Sequence, residues 1–122
     1  MHNQLQRAVL ALAQPADVQL ALFPEFVCKA DELALDFEGG LYELVGHEDK
    51  ITLEQRAAVD ALDKIIVGMS GEQNAAFWTE EALQSHPTWE EIRAAAKVVV
   101  AAFGWELRRS PPSGAIYITA GN

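Results

Sequence analysis

Asp31-Glu32-Leu33-Ala34-Leu35-Asp36-Phe37-Glu38-Gly39-Gly40-Leu41-Tyr42-Glu43-Leu44-Val45 is the stretch whose reading decides the fold. Leu33, Leu35 and Phe37 alternate with polar or small neighbours, a period of two that suits a strand with one wet face. Gly39-Gly40 then separates this run from Leu41-Tyr42-Glu43-Leu44-Val45, and both central residues of a type I′ turn need positive φ. Read as a β-hairpin, the stretch sets Phe37 across from Tyr42 and Leu35 across from Leu44. Asp36 then lies opposite Glu43, a like-charge pair that costs stability. The alternative is a helix with Leu33, Phe37, Leu41 and Leu44 on one stripe, which must carry two adjacent glycines at about 1 kcal/mol each. Alternation and the glycine pair favour the hairpin.

Outward from that stretch the signals are mostly helical. Leu5, Val9 and Leu12 follow i, i+4, i+7 spacing and predict a helix over 3–13, stopped by Pro15. A short helix over 17–22 precedes Pro24, which pushes Phe23 towards an extended conformation. Thr52-x-x-Gln55 is a capping box opening a helix whose apolar face is Ala58, Ala61, Leu62, Ile65, Ile66 and Met69, with Arg56, Asp60 and Asp63 opposite. Gly68 and Gly71 bracket its end. Ser70-x-x-Gln73 opens a further helix carrying Phe77, Trp78, Ala82 and Leu83. Thr88-x-x-Glu91 opens a last one, with Trp89, Ile92, Ala96, Val99 and Phe103 on one face and Gly104 as its stop. Beyond it, Trp105 and Leu107 alternate with polar neighbours, as do Ile116 and Ile118, around Pro111-Pro112-Ser113-Gly114, predicting a second hairpin. The expected fold is α+β, three to four helices on an antiparallel sheet of two β-hairpins. A helical 31–45 turns this into a helical bundle with a short C-terminal hairpin.

The 122 residues hold 18 acidic and 9 basic side chains, a net charge of −9, and half are hydrophobic. That balance argues for a single globular domain over 1–122 and against an acidic disordered tail. One cysteine, Cys28, excludes an internal disulfide framework and an all-cysteine metal cage. No apolar run approaches the roughly 18 residues that cross a bilayer. Ala8–Ala13 ends in an A-x-A-like triplet, but it is short for a signal peptide and Arg7 is the only cation before it, so a cytoplasmic location is expected. Strong negative charge disfavours nucleic acid and anionic membrane as partners.

The chemistry on offer is sparse. His86 precedes Pro87 at a helix junction, where a ring nitrogen bonds a terminal carbonyl. His47-Glu48-Asp49 lacks the H-E-x-x-H or paired C-x-x-C spacing of a metal site, so no metal or other cofactor is expected. Cys28 sits among Glu25, Asp31 and Glu32, whose charge raises a thiol pKa, so it reads as a buried or half-buried structural thiol. Glu80-Glu81 and Glu90-Glu91 offset the positive ends of helices. Trp78 and Trp89 fall on apolar helix faces and read as core, while Trp105 is expected to be partly exposed. Nothing supports an enzyme.

Charge is concentrated. Residues 16–49 hold nine acidic side chains against Lys29 alone, so they supply −8 of the total. Asp31, Glu32, Asp36, Glu38, Glu43, Glu48 and Asp49 are therefore the candidate partner-binding residues. A face of this kind steers in a basic protein and captures its lysines and arginines in charge-assisted bonds.

Trp78-Thr79-x-x-Ala82-Leu83, Pro87-x-Trp89-x-x-Ile92-Arg93 and Phe103-Gly104-Trp105 together resemble the helical part of small bacterial immunity proteins of polymorphic or contact-dependent toxin systems. The resemblance covers about 30 residues and carries no catalytic or binding residue. It implies an intracellular protein that binds one toxin and blocks it. The expected function is thus a non-enzymatic acidic protein-binding module, an immunity or antitoxin-like inhibitor of a basic toxin. The alternatives are a small-ligand-binding or enzymatic domain with a pocket between sheet and helices, and a homo-oligomer joined through its hairpin edges.

Overall fold

A computed structural model describes residues 3–107 apart from Phe26. In chain order it holds helices α1 (Asn3–Leu12), α2 (Ala16–Ala21), α3 (Lys29–Leu41), α4 (Leu53–Gly68), α5 (Glu80–Ser85) and α6 (Pro87–Phe103). Short 3-10 segments at Tyr42–Leu44, Glu48–Lys50 and Glu72–Trp78 join them. There is no strand among the described residues. The α+β expectation, with its sheet of two hairpins, is therefore replaced by a helical bundle.

The stretch 31–45 shows why. Leu33 and Phe37, one turn apart, are fully buried in α3 with Ala30, and Ala34 is nearly so. The facing pairs of the hairpin do not form: Phe37 and Leu44 are buried, whereas Leu35 and Tyr42 are 56% and 77% exposed. The alternative stripe of Leu33, Phe37, Leu41 and Leu44 is the one that faces the core. Neither Gly39 nor Gly40 has positive φ. Gly40 serves packing instead, since a Cβ there would stand 2.6 Å from the Leu5 Cα and 2.9 Å from its amide nitrogen. The glycine pair is where α1 crosses α3, and the burial gained there outweighs the helix-propensity loss.

The helices pair as α1 with α3 and α4 with α6, and α1 lies against α6 to join the pairs. Their buried side chains, with Leu83 of α5 and Phe77, form one connected cluster around Trp89, Phe37 and Leu62. Phe77 stacks on Trp89 at 4.8 Å, and the Trp89 indole donates to the Phe77 carbonyl at 3.0 Å. By contrast α3 and α4 barely approach each other.

Termini follow local chemistry. Both bonds of the Thr52–Gln55 capping box are made, at 3.0 and 2.9 Å. Gly104 adopts the left-handed conformation (φ 71°) that stops α6, and the Trp105 amide donates to the Val100 carbonyl at 3.0 Å. Two expected caps are corrected. The last helix begins at Pro87 with His86 as its cap, so Thr88 does not open it. The ring Nδ1 of His86 accepts from the Thr88 amide at 3.1 Å rather than bonding a carbonyl. Ser70-x-x-Gln73 runs into a 3-10 segment that Gly71 precedes with no side-chain cap, and Thr79 caps α5 by accepting from the Ala82 amide at 3.1 Å. Residues 105–107 are irregular, Trp105 stacking on Phe103 at 4.5 Å, and the remainder of the expected C-terminal hairpin lies outside the described residues.

A buried polar chain ties four helices together. Gln19 of α2, fully buried, donates through Nε2 to the Ala11 and Leu12 carbonyls at the end of α1, at 3.1 and 3.0 Å. Its Oε1 accepts from Arg93 Nε of α6 at 3.1 Å. Arg93 also donates to the Leu83 carbonyl of α5 and to the Glu90 carboxylate.

Candidate functional site

Because α3 and α4 are each committed to another neighbour, a groove runs between them. At one end it encloses about 330 Å³, with Ala34, Leu35, Ile66 and Val67 along its sides, Trp78 at its end, and Asp31, Glu38 and Asp63 as its acids. At the other end it encloses about 210 Å³ beside Leu44, Val45, Val59 and Glu48. Asp63 lines both parts. Leu35 and Val67, 56% and 59% exposed, lie off the buried stripes of their helices and leave apolar surface facing water inside an acidic rim. The Trp78 indole donates to the Met69 carbonyl at 2.9 Å, which orients its ring.

The helix divides the seven acids nominated from sequence. Asp31 and Glu38, seven residues apart on α3, line the groove with Leu35 between them. Glu48 lines its far part, and its carboxyl lies below its ordinary value because its own backbone amide and that of Gly46 donate to it. Glu32 and Asp36 do not line either part of the groove. Burial first, and then Glu32, push the Asp36 carboxyl up, while Arg7 opposes them. Glu43 accepts from the amides of Gln4 and Leu5 at 3.2 and 3.0 Å, capping the start of α1, so its carboxylate is engaged in the fold. Asp49 is exposed in a 3-10 turn and lines neither part. The seven acids therefore do not share one wet face: Asp31, Glu38 and Glu48 line the groove, and Glu32, Asp36, Glu43 and Asp49 do not.

Asp63 was not among the nominated residues and proves central. Burial first, then the charges of Asp60 and Glu38, push its carboxyl above the ordinary aspartate value. Its neighbour Asp60 is held by Arg56 at 3.2 Å. Lys29, the one cation of residues 16–49, is buried and reaches Glu25 at 3.7 Å rather than lining the groove. Val67 alone signals it in the sequence, as a large apolar residue off the apolar face of the helix opened by Thr52, and Leu35 joins it only once residues 31–45 are helical.

Other candidates fall away. Cys28, at the start of α3, is exposed rather than buried, and its thiol donates to the Trp78 carbonyl at 3.4 Å. Desolvation first, with Asp31 contributing, pushes the thiol up, which suits a protonated thiol and not a nucleophile. Neither part of the groove is lined by Cys28, His47 or His86. Among the described residues no group of three or more His, Cys, Asp and Glu is placed to hold a metal ion. No described helix is long and apolar enough to cross a membrane.

No known family model, curated protein or solved structure matches the chain.

Proposed function

We propose that this chain is a non-enzymatic protein-binding module that receives a basic partner on the α3–α4 side. One observation carries the reading: Asp63 is kept partly desolvated, beside Asp60 and Glu38, in a groove whose sides are apolar. Carboxylates held at a cost to the free protein are relieved when a cation arrives, so binding recovers the energy. The exposed Leu35 and Val67 supply area that removal from water turns into affinity. In its narrower form, resting on the resemblance to immunity proteins, the partner is a basic toxin blocked in the cytoplasm.

The groove volume favours a second reading. About 330 Å³ falls at the lower end of small-molecule sites, and three carboxylates around apolar walls suit a small amphiphilic cation. A second copy of the chain is the weaker alternative, because it would set one acidic rim against another.

Affinity capture with the wild type and with an Asp31→Lys/Glu38→Lys/Asp63→Lys variant tests the reading. A basic protein held stoichiometrically by the wild type and weakened about a hundredfold or more by the variant supports it. Equal retention by both, or no stoichiometric basic protein, overturns it. Saturable binding of spermine alone, abolished by the same variant, moves the assignment to the small cation.

A further inference from the structure

We infer that the occupant of the α3–α4 groove is an amphipathic α-helix of about three turns, its apolar stripe flanked on both sides by Lys or Arg, an inference that rests on the basic-partner reading above. Length comes first. Along α4 the groove-lining residues run from Arg56 to Val67, roughly 16 Å at helical rise, which a segment of about 11 helical residues matches. Backbone chemistry comes second. Towards the Trp78 end both walls are helices whose amides and carbonyls bond within themselves, and the far part adds only 3-10 turns and a short link at Val45, so no strand edge is offered for an extended peptide to join. A segment entering between apolar walls must satisfy its own backbone, and a helix does so.

Charge then sets the flanks. On the α3 side Asp31 and Glu38 stand about 10.5 Å apart, two helical turns, and reach cations spaced likewise. On the α4 side Asp63 faces the occupant's other flank. Leu35 and Val67 project from opposite walls and contact the apolar stripe between those flanks. Asp60, already held by Arg56, asks for no second cation, so the need for positive charge is greatest towards the Trp78 end.

The test uses the full chain and three probes: a peptide of about 16 residues with a leucine stripe flanked by lysines, the same composition scrambled to destroy the stripe, and spermine. Tryptophan fluorescence and backbone amide NMR shifts report binding. The expected result is one site, with the striped peptide binding at least about tenfold tighter than the scrambled one and than spermine. Leu35→Asp and Val67→Asp should each weaken it about tenfold, and Glu91→Gln should leave it unchanged. Leu35 and Val67 are exposed, so these variants leave the core intact, which a melting curve checks.

Equal binding of striped and scrambled peptides, lost on Asp31→Lys/Glu38→Lys, overturns the helix and leaves the basic-partner reading standing. Spermine matching the striped peptide overturns it in favour of a small cation. Tightening of about tenfold on Arg108→Ala/Arg109→Ala overturns it by making the chain's own C-terminal segment the occupant. Binding of none of the probes also overturns it, and the capture experiment then decides the broader reading separately.

Discussion

Gly40 lies directly against the backbone of Leu5, so close that an added Cβ would meet the Leu5 Cα at 2.6 Å. Backbone cannot yield as a side chain can, so Gly40→Ala must push α1 and α3 apart. The expected loss is about 1–3 kcal/mol, despite the gain in helix propensity. At Gly39 the nearest atoms belong to the end of the Gln4 side chain, which can swing aside. Gly39→Ala should therefore be neutral or stabilising by up to about 1 kcal/mol. Denaturant unfolding of both variants checks this, and equal losses would reject close approach as the reason for the pair.

Glu43 and Glu38 are both acids of the same short stretch, yet only Glu43 accepts amides at the start of α1. Glu43→Ala leaves two helix-end amides unsatisfied and should cost about 1–2 kcal/mol. Glu38→Ala, at an exposed position on the groove rim, should change folding stability by less than about 0.5 kcal/mol while weakening binding of the striped peptide. Unfolding and titration on the same two variants separate the folding acid from the binding acid. Equal destabilisation by both would remove that distinction.

Arg93→Met takes the donors away from Gln19 Oε1 and the Leu83 carbonyl, both in the interior. The expected loss is about 2–4 kcal/mol, the range for a buried group left without its partner. Gln19→Leu removes the acceptor, so the double variant should be less destabilised than the two single losses together, by about 1 kcal/mol or more. A double-mutant cycle in urea measures it, and strict additivity would show that the two side chains act independently.

Asp63 gives a pH signature. Its folded pKa lies above its unfolded one, so the ionised carboxylate costs the folded state at neutral pH, and the cost disappears as pH falls below the unfolded value of about 4. Asp63→Asn should thus melt higher than the wild type at pH 7, with the difference closing in acid. Binding of the cationic peptide should weaken in the wild type as pH falls through the Asp63 pKa, and that component should be missing in Asp63→Asn. Melting curves between neutral and acid pH check the first statement. A difference that widens in acid would reverse the sign and exclude a desolvated carboxylate.

Much of the helical frame was legible locally. Thr52 and Gln55 satisfy each other's amides three residues apart, so their capping box needs nothing from the rest of the chain. The same holds for the stop at Gly104, whose left-handed conformation is a local preference of glycine. The α1 stripe of Leu5, Val9 and Leu12 is fully buried, as its spacing requires. Residues 31–45 were not legible, because Leu33 and Phe37 fit period two and period 3.6 equally well. The deciding partner of Gly40 is Leu5, thirty-five positions away, and no local pattern contains it.

The candidate site divides in the same manner. Composition determined that the acidic excess belongs to residues 16–49, and the Thr52–Gln55 capping box and Gly104 determined where α4 begins and α6 ends. Tertiary structure alone decided which acids share a surface, since that depends on how each helix is rotated and on which neighbour it takes. Packing α3 on α1 and α4 on α6 leaves their other sides unfilled. That gap brings Asp63 to Asp31 and Glu38, while Glu43, close to them in sequence, is drawn away to the amides of α1.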